Sequence, residues 1–398
     1  MKNYDLITPE GTKDYLFGEC IVIRDIENTL VRLFKSHGYS EMITPGLEFY
    51  DVFNLNSRYF PQENLYKLTD SKGRLLVMRP DTTMPIARVV ATRLRDAMLP
   101  LKLFYNQTVY RTEPALKGRS DEIVQTGIEL IGSQLKMADL EVISTAVESL
   151  KSFGMEFSLE IGHIGIFKEL VDRLEVSDKT KEKIRMLIET KNFPALNDLL
   201  DSLGNSGVTN ALKSLPALFG GEEVFEKAEE IMPDENIKRL LDELREIYCD
   251  AAEICGNDGE ITVDLGLVNK TDYYTGIIIK GYLQGHGEEV ISGGRYDRLI
   301  SEFGYDIPAV GFAVNINAVA KVIEKNGILP VMPRTDAIVY AEEGFEVAAL
   351  KSAQELREQG LVVEIALFDD LETVRSYAKE KKIPKVVVIN SDDREAEE

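Results

Sequence analysis

The chain has 398 residues, of which 44% are hydrophobic and 29% charged, the composition of an ordinary globular protein with room for two or three domains. General disorder, a collagen-like fibre and a disulfide scaffold are excluded, and no apolar run of ~18 residues predicts a membrane span. Asp and Glu number 68 against 46 Lys and Arg, a formal net charge of −22. Because phosphate neutralisation supplies most affinity for nucleic acid, we expect neither tRNA nor DNA as the main partner; a local basic groove stays open as an alternative.

The residue types that bind metals or form disulfides make no recognisable site. Cys20 is remote in sequence from Cys249 and Cys255, and the three histidines have no metal-ligand spacing. The first residues lack the apolar segment of a secretory signal. We therefore expect a cytoplasmic protein in reducing surroundings, with no metal and no cofactor.

Residues 1–165 and 259–325 share one pattern, in which amphipathic helices alternate with short strands. Apolar residues recur at helical spacing, for example at Ile23, Ile26, Leu30 and Leu33. Because the strand-like runs follow one another without a crossover helix, the pattern predicts a largely antiparallel sheet and an α+β fold. The predicted strands cover 101–111, 123–131, 157–161, 261–268 and 275–282.

Residues 166–258 contain almost no β-run and predict an inserted helical module. Glycines and a proline separate its periodic segments. The alternative to a functional role is a plain helical bundle without chemistry, which we favour. The predicted helices cover 180–190, 193–203, 208–219 and 235–252.

Residues 334–398 follow a proline-containing linker at 326–333 and predict a small α/β domain with a parallel sheet, because strand and helix alternate. The domain has nine Lys and Arg against sixteen Asp and Glu, a net of −7. The acidic tail at 392–398 is expected to be disordered. The predicted strands cover 336–340, 362–367 and 386–389, and the predicted helices 346–359 and 371–381.

Two segments of the first region carry residue types suited to a charged small ligand. Asp81 and the hydroxyls that follow it can present acceptors to an ammonium group, although Asp81 or Thr82 can also simply cap a helix. Arg111 projects from the end of a strand, where a guanidinium can hold a carboxylate or a phosphate. Gln125 and Glu129 alternate on one face of the next strand and can line the same cavity. The alternative for this second segment is an ordinary solvated hairpin.

Two further segments contain tyrosines and glycines. Tyr273 and Tyr274 point to opposite faces if the backbone is extended, so that one can pack while the other offers its hydroxyl to a ligand. The segment G-G-R-Y-D at 293–297 allows close approach of a small ligand to the backbone, and P-A-V-G-F-A follows at 308–313. In isolation the glycine-containing segment would usually be a turn.

Taken in order, these segments resemble histidyl-tRNA synthetases, which are class II synthetases. The stretch T-P-E-G-T-K-D at 8–14 is similar to the opening of that family, 110–125 to its second motif, and 267–276 to its histidine loop. The resemblance covers about 1–325. It implies a class II synthetase-like antiparallel sheet flanked by helices, followed by a shortened version of the anticodon-binding domain.

The chain departs from the synthetases at four positions where that family has arginine. These positions hold Pro114, Asp121, Asn269 and Ala318. Loss of one donor to a developing phosphate charge can cost ~10²–10³ in rate, so we expect no useful adenylation.

By contrast, the chain keeps the amino-acid pocket of the family. The residues at the positions where the family contacts histidine are Asp81, Thr83, Arg111, Gln125, Glu129, Tyr273 and Tyr274. A chain with this combination resembles the regulatory subunits of ATP phosphoribosyltransferase, a paralogue of the synthetases. The resemblance implies a non-catalytic protein of histidine biosynthesis that binds histidine. It also implies a short catalytic partner subunit, a homodimer within a hetero-octamer, and feedback inhibition. The alternatives are an active histidyl-tRNA synthetase and a free-standing histidine-binding module.

Overall fold

Two compact units, Met1–Ile328 and Leu329–Glu398, make up the chain. The computed structural model describes residues 4–54, 60–112, 120–256, 260–268, 273–328, 330 and 332–390. The boundaries expected from the sequence, with an insert at 166–258 and a linker at 326–333, stay a proposal.

The first unit is built on a sheet whose strands come from distant parts of the sequence. Three shorter strands form a separate antiparallel sheet in the order β2-β4-β3. The strands are β1 (Ser40–Glu41), β2 (Leu47–Phe49), β3 (Lys67–Thr69), β4 (Leu75–Met78), β5 (Leu101–Tyr110), β6 (Glu122–Ile131), β7 (Phe157–His163), β8 (Phe219–Gly220), β9 (Ile261–Asp264), β10 (Ile277–Leu283), β11 (Ile291–Arg295) and β12 (Ala309–Asn315).

The main sheet has nine strands in the order β1-β5-β6-β12-β11-β10-β7-β9-β8. Neighbouring strands are antiparallel except for the pairs β1–β5 and β7–β9. The prediction of a largely antiparallel sheet is therefore confirmed. The long hairpin β5–β6 and strand β12 form the part of the sheet that carries most of the candidate site.

Helices accompany the sheet along the whole unit. They are α1 (Gly18–Ser36), α2 (Tyr50–Asn54), α3 (Thr83–Thr92), α4 (Lys136–Lys151), α5 (Ile164–Asp172), α6 (Asp178–Glu189), α7 (Phe193–Ser202), α8 (Gly207–Ser214), α9 (Glu223–Ile231), α10 (Glu235–Cys255) and α11 (Ile316–Lys325). Short 3-10 helices cover Tyr4–Leu6, Gln62–Asn64, Leu215–Ala217 and Ile300–Phe303.

One face of the main sheet packs on helix α1 through aromatic side chains. The ring of Phe34 lies 6.2 Å from that of Phe104 on β5 and 5.9 Å from that of Phe312 on β12. All three side chains are buried. This face supplies much of the hydrophobic core, which leaves the opposite face of β5, β6 and β12 to line a cavity.

The helical character of residues between β7 and β9 is confirmed, but several boundaries differ from the prediction. Helix α8 ends at Ser214 and a 3-10 turn follows, because Pro216 has no N–H to continue the helix. Strand β9 ends at Asp264, whose Oδ1 accepts a hydrogen bond of 2.7 Å from the N–H of Gly266 in a turn. Helices α5 and α9 were not predicted as separate elements.

The second unit has the predicted alternation of strand and helix. Its elements are β13 (Ala337–Ala341), α12 (Glu346–Glu358), β14 (Val363–Ile365), α13 (Leu371–Lys381) and β15 (Lys385–Ile389). The strands are parallel, in the order β14-β13-β15. The acidic tail at 392–398 lies outside the described residues.

Candidate functional site

A cavity of about 290 Å³ opens on the face of the main sheet that is turned away from α1. Ligand pockets typically measure ~300–1,000 Å³, so this cavity suits a small ligand. The structure brings all of the candidate residues together around it: Asp81, Thr83, Arg111, Gln125, Glu129, Tyr273 and Tyr274 all line its wall. Their proximity is a finding, whereas a role in binding histidine stays a proposal.

Gly127 lies under the ring of Tyr105, which lines the cavity. Gly127 pairs with Tyr105 of β5 on one side and with Ala313 of β12 on the other. A Cβ atom on Gly127 would lie 2.6 Å from the Tyr105 hydroxyl and 2.4 Å from the carbonyl oxygen of Phe312. Glycine is therefore required here for the Tyr105 ring to lie across the sheet.

Glu129 points into the cavity from β6 and is almost completely buried. Its Oε1 accepts a hydrogen bond of 2.8 Å from the hydroxyl of Thr83, at the start of α3, and its Oε2 accepts one from the hydroxyl of Tyr296. Burial raises the pKa of Glu129 to about 8, against the two hydroxyl donors, which lower it. A carboxyl group with such a pKa can change its charge near neutral pH.

Asp81 stands beside Glu129 in the loop between β4 and α3. Its Oδ1 accepts a hydrogen bond of 3.3 Å from the N–H of Met84, so it does cap the first turn of α3. Its Oδ2 is buried and has no hydrogen-bond partner among the described residues. Burial raises the pKa of Asp81 to about 6, while the positive charge of Arg111 lowers it. The unpartnered oxygen can accept a hydrogen bond from a ligand.

Arg111 is fixed directly after β5. Its Nε donates to the carbonyl oxygen of Pro80, and its backbone N–H donates to the carbonyl oxygen of Asp121 over 2.9 Å. Arg79 is buried below it and donates to the carbonyl oxygens of Thr44 and Thr108, each over 2.8 Å. These bonds tie the 79–81 segment to β5 and hold Arg111 close to Asp81.

Tyr273 and Tyr274 both line the cavity, and the backbone there is not the extended strand for which opposite faces were expected. Tyr273 lies in a turn before β10, where the alternation of an extended strand does not apply. Their ring centroids are 4.9 Å apart in an edge-to-face arrangement, and both rings are buried. Burial raises the pKa of both hydroxyls above the ordinary value, so both stay neutral at physiological pH.

Sequence reasoning did not identify Tyr296 as part of the site. It belongs to the G-G-R-Y-D segment, which was interpreted only through its glycines. Its ring lies 5.7 Å from that of Tyr273, and its hydroxyl donates to Glu129. The sequence signal that could have identified Tyr296 is a tyrosine directly after an arginine. That arginine, Arg295, donates a buried hydrogen bond of 2.9 Å to Asp139.

Of the four positions where the synthetases have arginine, two lie among the described residues. The Oδ2 of Asp121 accepts a hydrogen bond of 2.5 Å from the hydroxyl of Tyr66, and Ala318 is buried in the first turn of α11. Pro114 and Asn269 lie outside the described residues, as does the loop with Lys117 and Arg119. In the part of the wall that the structure describes, Arg111 is the one cationic side chain, and the acidic side chains are Asp81, Glu129, Glu189 and Glu289.

The described residues contain neither a cluster of metal-binding side chains nor a helix able to cross a membrane. No group of three or more His, Cys, Asp or Glu side chains is arranged to hold a metal ion there. Nor does any helix in those ranges combine the length and the hydropathy that a membrane crossing needs.

The sequence matches known families over most of its length. The family model described as histidyl-tRNA synthetase matches residues 11–319. An ATP phosphoribosyltransferase regulatory subunit of Clostridium kluyveri is 44% identical over 96% of this chain and 99% of its own length. One of Bacillus thuringiensis is 38% identical over 98% of this chain and 94% of its own length.

The fold matches solved structures as well. A Bacillus halodurans structure, described as an ATP phosphoribosyltransferase regulatory subunit/histidyl-tRNA synthetase, aligns with a TM-score of 0.83 and 30% identity, over 97% of this chain and 99% of that one. A Nostoc histidyl-tRNA synthetase aligns with a TM-score of 0.79 and 22% identity, over 98% of this chain and 93% of that one, which shows the shared fold. The class II synthetase-like fold is thus confirmed, and the chain belongs to the ATP phosphoribosyltransferase regulatory subunits within the histidyl-tRNA synthetase-like proteins.

Proposed function

We propose that this chain serves a short catalytic subunit of ATP phosphoribosyltransferase as its regulatory subunit, in the first step of histidine biosynthesis, and that its cavity binds histidine as the feedback inhibitor. The observation that carries the proposal is the convergence of two buried carboxyl groups, one guanidinium and two tyrosines on one small cavity. The curated names of its relatives support the regulatory role.

The charges of the cavity complement those of histidine. The free Oδ2 of Asp81 suits the ammonium group, the guanidinium of Arg111 suits the carboxylate, and Glu129 with Tyr273 suits the imidazole. A ligand without a donor for the buried Asp81 oxygen would leave that oxygen unsatisfied, which costs free energy, and an apolar side chain would make no hydrogen bond with Glu129. The cavity therefore favours an amino acid with a hydrogen-bonding side chain over an apolar one.

The same charges disfavour a nucleoside triphosphate. The described wall carries four acidic side chains and one arginine, and Asp121 and Ala318 occupy positions where the synthetases have arginine. An active synthetase requires cations at the developing phosphate charge. Histidine-dependent exchange of pyrophosphate into ATP tests this directly: we expect none, and measurable exchange would establish the synthetase alternative.

Regulation requires that histidine bind more tightly to one state of the complex than to another. Typical couplings between sites correspond to about 5–150-fold changes in affinity. We expect the chain alone to lack phosphoribosyl transfer, to raise the activity of the catalytic subunit on mixing, and to make that activity sensitive to histidine. No change in the kcat or KM of the catalytic subunit at saturating regulatory chain would contradict the proposed partner.

The assembly is also part of the proposal. We expect a homodimer of this chain within a hetero-octamer of four catalytic and four regulatory subunits, with no nucleic acid bound. Light scattering of the mixed and purified complex measures its mass. Calorimetry with histidine, first on the chain alone and then on the complex, determines whether the catalytic subunit is needed for binding and separates a free-standing binding module from a regulatory subunit.

A further inference from the structure

Glu129 is held on both sides by hydroxyl groups that come from separate elements. Thr83 donates to Oε1 from the start of α3, and Tyr296 donates to Oε2 from the turn after β11. A Cβ atom at position 311 would lie 2.1 Å from Oε2, so Gly311 leaves the carboxylate just enough room. The orientation of Glu129 is therefore determined by its neighbours.

Tyr296 has little freedom to move away from Glu129. Its side chain is 2% exposed, and its backbone N–H donates to the carbonyl oxygen of Ala309 over 2.7 Å. The preceding Arg295 is anchored on Asp139, and the ring packs edge-to-face on Tyr273. The hydroxyl of Tyr296 is thus a fixed donor.

We propose that Tyr296 is a positioning residue, which aims Glu129 into the cavity and favours its ionised form so that Glu129 can accept a hydrogen bond from the imidazole of histidine. This inference rests on the proposed function and adds a residue that acts on the ligand only through Glu129. A buried carboxylate is costly in a low-dielectric cavity, and a hydroxyl that donates to it stabilises the charged form. Loss of the hydroxyl therefore favours the protonated acid, which accepts less well.

The other titratable groups that face Glu129 change their charge outside the pH range in which Glu129 does. Asp81 titrates at about pH 6, below Glu129, and Arg111 acts on Asp81 and on the tyrosines. The tyrosines that face Glu129 have their pKa raised by burial and stay neutral up to pH 10: Tyr39, Tyr105, Tyr273, Tyr274 and Tyr296. Among the groups described here, the change of charge between pH 7 and 9 is thus that of Glu129.

The test is the affinity of the full-length chain for histidine, and of its complex, measured by calorimetry from pH 6.5 to 9.5. In Tyr296→Phe the rise in affinity with pH should move to higher pH, since the pKa of Glu129 rises. One pKa unit corresponds to about 10-fold in the ionised fraction, so we expect roughly 10-fold weaker binding at pH 7 that returns towards wild type by pH 9.5. The titration of free histidine affects both proteins equally, so it cancels in the ratio of their affinities.

Three further variants sharpen the test. Tyr66→Phe removes a hydroxyl that donates to a different carboxylate, Asp121, outside the cavity wall, and should leave the profile unchanged. In a Glu129→Gln background, Tyr296→Phe should no longer have a pH-dependent effect. Should Tyr296→Phe fail to fold, Thr83→Val removes the other donor and should shift the profile in the same direction.

The outcomes separate the two proposals. If wild type binds histidine and Tyr296→Phe weakens binding by the same factor at every pH, or not at all, Tyr296 has only a packing role and the inference is overturned. If neither the chain nor the complex binds histidine at any pH, the proposed function fails, and this inference fails with it.

Discussion

The guanidinium of Arg295 donates to the carboxylate of Asp139 over 2.9 Å, and both side chains are buried between β11 and α4. This pair supports the segment that carries Tyr296. Breaking a buried ion pair by removing one partner typically costs about 3–5 kcal/mol, because the other charge stays buried without a partner.

We therefore expect Arg295→Met to lower the free energy of unfolding by about 3–5 kcal/mol in urea titrations. A matched control is Arg173→Met, which removes a partly exposed arginine paired with Glu169 and Asp234. Exposed pairs contribute about 0–1 kcal/mol, so this variant should unfold close to wild type. Equal losses of unfolding free energy in the two variants would show that the buried Arg295 pair contributes no more than an exposed pair.

Glu129→Ala and Tyr273→Ala should each leave assembly and basal activity of the complex near normal and raise the histidine concentration needed for inhibition. Couplings between sites are typically worth 5–150-fold, so we expect a shift of at least about 5-fold. Inhibition curves on the intact complex measure it.

Tyr248→Ala is the control, because Tyr248 packs on Phe225 in the helical region, with 6.0 Å between the ring centroids. It should lower thermal stability without changing the histidine response. If the two cavity variants behave like this control, they only stabilise the sheet and the loop.

Gly127→Ala should destabilise the chain and displace the ring of Tyr105, which lines the cavity. The new methyl group would meet the carbonyl oxygen of Phe312, a backbone atom that cannot turn aside, as well as the Tyr105 hydroxyl. Overpacking of this kind costs typically about 1–3 kcal/mol. Gly46→Ala, where a Cβ would have no neighbour within 4 Å, is the matched control for urea unfolding and histidine binding. Full histidine affinity in Gly127→Ala would contradict the cavity as the binding site.

Glu129→Gln should stabilise the empty chain at alkaline pH. Burial raises the pKa of Glu129 from 4.5 to about 8, so the folded chain keeps a proton that the unfolded chain has lost. The free energy of unfolding therefore falls as pH rises between these two values, and the amide variant lacks this loss. At about 1.4 kcal/mol per pKa unit, the advantage at pH 9 is on the order of a few kcal/mol.

Thermal unfolding at pH 5 and pH 9 measures this difference. It should be small at pH 5, where the carboxyl group is still protonated in the folded chain. Glu19→Gln serves as the control: Lys13 lowers the pKa of that exposed carboxyl, so the variant should gain nothing at pH 9. A Glu129→Gln chain that is no more stable than wild type at pH 9 would mean that Glu129 is already ionised near neutrality.

Much of this architecture could be predicted from local pattern. The hairpin β5–β6 and the alternation in the second unit have strong periodicity, and the seven candidate residues belong to ordered motifs, so their convergence follows from the fold. What could not be predicted depends on contacts between distant segments. The donation from Tyr296 to Glu129 joins residues 167 positions apart, and the turn at Tyr273 overrides the alternation of a strand.

Two glycines limit how the specificity of the cavity can change. Gly311 lines the cavity and Gly127 lies under Tyr105, and because both already lack side chains, no substitution at these two positions can enlarge the cavity. A variant that accommodates a bulkier amino acid must therefore be sought among the large side chains that line the cavity, such as Tyr105 and Tyr273. Natural drift and laboratory selection for larger ligands have to act at those side chains.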